Sequence, residues 1–127
     1  MKTVYDTPQH LELKRKSVLF LVQMGCLSIE TEYKIGQGKN GYAFRADVAG
    51  IKDGKLIVVE CGGTSMWKLN KLLPFVGELY ILPHGQDKPF KWNANMVICQ
   101  GCGNLKGVVG AGYERNPRSH KALNIYG

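Results

Sequence analysis

Apolar and polar positions change period several times along the chain, and each change marks an expected element. From about His10 to Met24 the positions Leu11, Val18, Leu19 and Val22 fit helical spacing, and the second half of this stretch is apolar nearly all round. Thr7 followed by Pro8 predicts a cap and a first-turn proline, and Gly25 predicts the stop. Cys26 to Ile35 then alternates, with Leu27 and Ile29 against Ser28 and Glu30, which predicts a half-buried strand. Phe44–Val48 and the apolar run Leu56–Val59 flank Asp53-Gly54, a pair able to take the positive φ angles of a two-residue hairpin. Thr64 or Ser65 caps a short helix through Leu73, with Leu69, Leu72 and Phe75 turned inward and Pro74 stopping it. Glu78–Pro83 reads as another strand and Met96–Cys99 as a fifth. The order helix, three strands, helix, strand predicts an α/β fold. Three antiparallel strands are followed by a helical crossover to a parallel one, in a mixed sheet with a helix on each face.

Folding the hairpin brings Asp47 and Glu60 together, because both stand at the strand ends far from the turn. Acids at strand ends are commonly solvated and inert. Two carboxylates converging beside buried apolar surface are costly unless a cation or a proton shares the site. A hard divalent cation meets that need, since Mg²⁺ takes oxygen ligands and often only one or two carboxylates.

Charge narrows the choice of partner. The net charge is +7, and residues 88–127 carry six of the basic side chains, Lys88, Lys91, Lys106, Arg115, Arg118 and Lys121, against the single acid Glu114. A basic C-terminal arm on a nearly balanced core points to a polyanion, most commonly nucleic acid, although a basic tail can also serve solubility alone. The expected organisation is one domain over 1–105 and a flexible basic tail over 106–127. Gly36–Gly41 is a flexible loop carrying Lys39, and it lacks the Gly-Lys-Ser/Thr ending of a phosphate-binding Walker loop. Lys39, Arg45, Lys106, Arg115 and Arg118 are the expected contacts to a phosphate backbone.

With 44% hydrophobic and 21% charged residues, the composition is that of a soluble globular domain, and no apolar run is long enough to span a bilayer. Val18–Val22 after Lys14-Arg15-Lys16 resembles a signal peptide only superficially, so an internal helix and a cytoplasmic location are expected. Cys99-Gln100-Gly101-Cys102-Gly103 has the form of one zinc knuckle, but one knuckle supplies two ligands. Cys26, Cys61, His84 and His120 are candidates for the others, and free or buried thiols are the alternative.

Phe-Arg-Ala-Asp-Val at 44–48, Val-Val-Glu-Cys-Gly at 58–62 and the helices before and after them resemble the PD-(D/E)XK nuclease superfamily, the restriction-endonuclease-like fold. The resemblance covers roughly Leu11 to Pro83, and the hairpin is similar to that of archaeal Holliday-junction resolvases, which are small basic dimers. It implies an αβββαβ core and a Mg²⁺ (or Mn²⁺) ion on Asp47 and Glu60. It further implies an acid on the first helix, which Glu12 matches by location, and a lysine two residues after the glutamate. The last position is Gly62. Lys68, on the following helix, is the candidate replacement, its alternative being a solvated neighbour of Lys71.

The function these features imply is metal-dependent hydrolysis of phosphodiester bonds in nucleic acid, DNA before RNA, with branched or structured DNA as a candidate substrate. Two other readings stand beside it. One is a catalytically inactive nucleic-acid-binding module of the same fold, and the other is a small zinc-linked interaction protein built on Cys99 and Cys102.

Overall fold

Thr7 opens the first helix as its sequence predicts. In the computed structural model, which describes residues 7–36 and 44–109, its Oγ1 accepts the His10 N–H at 3.1 Å and Pro8 takes the first helical position. Helix α1 spans Pro8–Met24 and ends at Gly25, whose φ of 96° lets its N–H reach the carbonyls of Leu21 and Val22. The buried face differs from the expected one. Leu13, Lys14, Ser17 and Leu21 face the sheet, whereas Leu11, Leu19 and Val22 are 40–55% exposed. Periodicity cannot choose a face where leucines and valines surround the helix. Two polar residues, Lys14 and Ser17, mark the inward side because they have partners there.

Strand β1 (Leu27–Ile35) is an edge strand and is mostly exposed rather than half-buried. It carries left-handed residues at Ser28 and Glu32, and its pairing shifts register between Leu27 and Glu30, as a bulged edge does. Strands β2 (Phe44–Lys52) and β3 (Lys55–Cys61) form the expected hairpin. Lys52 pairs with Lys55 across a two-residue turn in which Asp53 and Gly54 both take positive φ, 51° and 76°. That backbone matches the right-handed twist of the flanking strands.

Helix α2 (Met66–Leu72) is capped by Ser65, whose Oγ accepts the Lys68 N–H at 3.0 Å. A 3₁₀ turn over Leu73–Phe75 extends it, so Pro74 does not stop the chain's winding but sits inside it, where a proline early in a turn needs no N–H donor. Phe75 is 50% exposed and lies over Gly36 rather than turning inward. Strand β4 (Glu78–Leu82) pairs parallel with β3, Ile57 opposite Glu78 and Cys61 opposite Leu82. A short strand β5 (Phe90–Lys91), without a signal in the hydrophobic pattern, adds antiparallel to β4.

The sheet is therefore mixed, in the order β1-β2-β3-β4-β5. Its faces separate by the two-residue period of the strands. Val58, Leu79 and Ile81 pack with Met66, Leu69 and Leu72 of α2, while Val48, Ile57, Val59, Cys61 and Leu82 pack with Leu13 and Leu21 of α1. The helices cover opposite faces, as expected.

Met96–Ile98 is a strand, β6, but not a fifth strand of the main sheet. It pairs with β7 (Leu105–Val108) in a separate two-stranded ribbon. Strand β7 crosses the boundary expected between residues 105 and 106, and Lys106 within it is only 6% exposed, so the ordered domain continues past that point. No described helix is long and apolar enough to cross a membrane. The expected flexibility of the 36–41 loop and of the C-terminal tail concerns positions that lie, from 37 and from 110 onward, outside the described residues.

Candidate active site

The backbone pairing of β2 with β3 runs from Lys52 opposite Lys55 to Val48 opposite Val59. Beyond it, side chains take over. The Asp47 N–H donates to Glu60 Oε2 at 3.0 Å, and the Cys61 N–H donates to Asp47 Oδ2 at 2.8 Å. Each acid thus accepts an amide from the other strand, and the two carboxylates are fixed at the point where the ladder ends.

Lys68 reaches this point from the first turn of α2. Its Nζ is 2.8 Å from Glu60 Oε1, and Glu60 itself is 1% exposed. The cap at Ser65 sets where α2 begins and so sets the reach of Lys68. From the opposite face of the sheet, His10 in the first turn of α1 places Nε2 3.7 Å from Asp47 Oδ1. The structure thereby brings together Asp47, Glu60 and Lys68, and adds His10.

Electrostatics divides the two acids. Burial, reinforced by the charge of Asp47, pushes Glu60 up to about 7 despite the ammonium of Lys68 beside it. Burial also opposes the charge on Asp47, but the approach of His10, the hydrogen bond from the Cys61 amide and nearby Lys68 hold its carboxyl below the usual range. For Lys68 burial works against the charge, and it is outweighed by Glu60, which keeps the ammonium above its ordinary pKa. The arrangement at neutral pH is one ionised aspartate, one glutamate near its midpoint and one firmly protonated lysine.

A second polar group surrounds the first. Lys14, buried on α1, pairs with Glu32 of β1, and Arg45 of β2 approaches the same carboxylate at 3.3 Å. Lys14 belongs to the basic run Lys14-Arg15-Lys16, and its burial beside Glu32 sets it apart from the exposed Arg15. Ser17 Oγ lies 3.3 Å from Cys61 Sγ, and burial pushes that thiol well up from its ordinary value.

Position 62, where the resemblance implies a lysine, has no room for a side chain. Gly62 sits at φ 73°, and a Cβ there would lie 2.5 Å from His84 Nε2. A side chain at position 62 meets the imidazole before it meets the acids. The glycine pair also receives the cysteine turn: a Cβ on Gly63 would lie 1.9 Å from the Gln100 carbonyl oxygen, and one on Gly103 would lie 2.3 Å from the Gly62 oxygen.

Other expected site residues lie apart. Glu12 is exposed and paired with Arg15, Nη2 to Oε2 at 2.5 Å. It lines a cleft of about 830 Å³ with Thr7, Lys16 and His84. Lys106 is buried in β7 and is not part of a phosphate-binding surface. Arg45 is exposed, while Lys39, Arg115 and Arg118 lie outside the described residues. Cys99 and Cys102 are half-buried in the turn between β6 and β7, and Cys26 and Cys61 are buried with the α1 face of the sheet. Among the described residues, no group of three or more His, Cys, Asp and Glu side chains is arranged to hold a metal ion.

His10 and Glu32 have no sequence signal of their own. His10 is a lone histidine near a cap, and Glu32 is one acid on an alternating strand. No protein-family model, curated protein or solved structure matches the chain.

Proposed function

We propose that the chain is a metal-dependent nuclease that hydrolyses phosphodiester bonds in DNA, branched or structured DNA included, on a restriction-endonuclease-like αβββαβ core. The observation that carries this reading is the convergence of Asp47 and Glu60 at the ends of paired strands with Lys68 Nζ 2.8 Å from Glu60.

The donor set fits a hard cation. Asp47 and Glu60 would hold Mg²⁺ or Mn²⁺, a number of carboxylates that Mg²⁺ commonly accepts. Their environment supports the fit: burial and the neighbouring acid raise Glu60, so a second positive charge would relieve both. When bound, the cation supplies polarisation of the scissile phosphate and a lowered pKa for water.

The chain's own residues supply orientation and charge. The Cys61 amide and His10 hold the Asp47 carboxylate, and the Asp47 amide holds Glu60. Lys68 stays protonated against Glu60 and offers fixed positive charge where negative charge develops on the phosphate. Lys68 thus stands in for the lysine that Gly62 replaces. Backbone phosphates away from the reacting bond would meet Arg45, Lys39, Arg115 and Arg118.

The test is cleavage of linear duplex, single-stranded and four-way DNA with Mg²⁺ or Mn²⁺ against EDTA. Metal-dependent cutting of at least one substrate is expected. DNA binding without cutting under any of these conditions would assign the chain to the inactive binding module instead.

A further inference from the structure

The turn Cys99–Gly103 joins β6 to β7 and is closed by backbone bonds at both ends. The Gly103 N–H reaches the Cys99 carbonyl at 2.7 Å, and the Cys99 N–H reaches the Asn104 carbonyl at 2.9 Å. Gly103 takes φ 88°, which turns the chain sharply after the second cysteine. Inside the turn the Cys102 thiol receives Asn104 Nδ2 at 3.2 Å, and the Asn104 backbone N–H and the Cys99 side chain bond to it as well. These donors converge on the Cys102 sulfur.

The turn is also anchored from outside. The His84 N–H donates to the Cys102 carbonyl at 2.9 Å, and Gly63 and Gly103 leave no room for a Cβ between the turn and the end of β3. Two adjacent thiols are therefore held on fixed backbone, half-buried, with amide donors directed at the sulfur. This is the donor chemistry of a thiophilic d¹⁰ cation, which takes four ligands in structural sites. Cys26 and Cys61 are buried with the α1 face of the sheet, and Cys61 is engaged with Ser17, so neither completes the set. Among the described residues no third ligand joins the pair, and His120 lies outside them. Beside the turn, β7 exposes Leu105 at 48% and Val108 at 42%, apolar surface on a ribbon of only two strands.

We propose that two copies of the chain pool their Cys99 and Cys102 side chains around one Zn²⁺ ion, with Leu105 and Val108 covered where the copies meet. A two-fold axis through the ion gives four thiolates and makes the interface self-complementary. This site does not depend on the nuclease reading, and its test does not use cleavage.

The experiment measures bound zinc and molar mass by light scattering on full-length protein purified without chelator. Measurements are repeated after EDTA stripping and after Zn²⁺ or Co²⁺ reloading. The expected result is one zinc per two chains in a dimer, loss of the dimer on stripping, and its return on reloading. Co²⁺ should give a thiolate charge-transfer band of four-sulfur intensity. Cys102→Ser should be monomeric and zinc-free with unchanged far-ultraviolet circular dichroism. The wild-type stripping cycle keeps the test valid if that variant does not fold. No retained zinc after saturation, one zinc per monomer, or a dimer indifferent to stripping would overturn the shared site.

Discussion

At the scale of single residues, unequal environments set chemically similar groups apart. Glu60 is raised to about 7 by burial and by Asp47, and this fixes a pH dependence. A carboxyl whose folded pKa lies above its unfolded value binds more protons in the folded state, so stability falls as pH rises between the two. In chelated, metal-free buffer, stability should therefore fall from about pH 4.5 to about pH 7, by up to about 3 kcal/mol. Asp47 acts oppositely: its lowered pKa contributes stability above the usual aspartate range, lost as pH falls through its folded value. Denaturant melts across pH check both slopes, and Glu60→Gln should remove the fall toward neutrality. Gly62 makes a second residue-scale prediction. Gly62→Lys should destabilise the fold by roughly 1–3 kcal/mol through its left-handed backbone, and more if His84 cannot move. It should not rescue Lys68→Ala. A stable Gly62→Lys protein that restores cleavage to Lys68→Ala would show that the position is open after all.

At the scale of elements, the sequence carried the hairpin, both helices, their caps and the strand that follows. The reason is local: Asp53-Gly54, Thr7-Pro8, Gly25 and Ser65 each specify a backbone conformation without help from the rest of the chain. The face of α1 was not legible, because its second half is apolar on all sides and the choice is made by tertiary partners. Strand β5 and the separate ribbon of β6 and β7 were not legible either. Two residues such as Phe90-Lys91 show no period, and nothing in Met96–Cys99 says which sheet it joins. Within the site, Asp47, Glu60 and Lys68 are legible in the chain, while His10, Lys14 and Glu32 come together only through contacts distant in sequence. The assignment of α1's face is checked by truncation. Leu21→Ala, at a fully buried position, should cost about 2–5 kcal/mol. Leu19→Ala, at 46% exposure, should remain within about 1 kcal/mol. Equal destabilisation of the two variants in urea unfolding would contradict this placement of the helix on the sheet.

At the scale of the whole molecule, the site and the excess charge are separate parts of the proposed function. The acids lie where the central strands end, while Arg115, Arg118 and Lys121 lie in the chain after the last described strand. If these cations neutralise DNA phosphates, ending the chain at Val109 should flatten the log–log salt dependence of binding by about 0.9 for each duplex phosphate no longer neutralised. Fluorescence anisotropy over a salt series reads that slope, and an unchanged slope would return the binding surface to the core. The same separation frames the most direct test of the central claim, which is a single-turnover cleavage rate measured on wild type and on Asp47→Ala at matched DNA occupancy. Wild type should cut in a metal-dependent manner, and Asp47→Ala should not, with its DNA affinity largely retained, since carboxylates contribute through a bound cation and not by attracting phosphate. Undiminished cutting by Asp47→Ala would contradict a metal site on these acids.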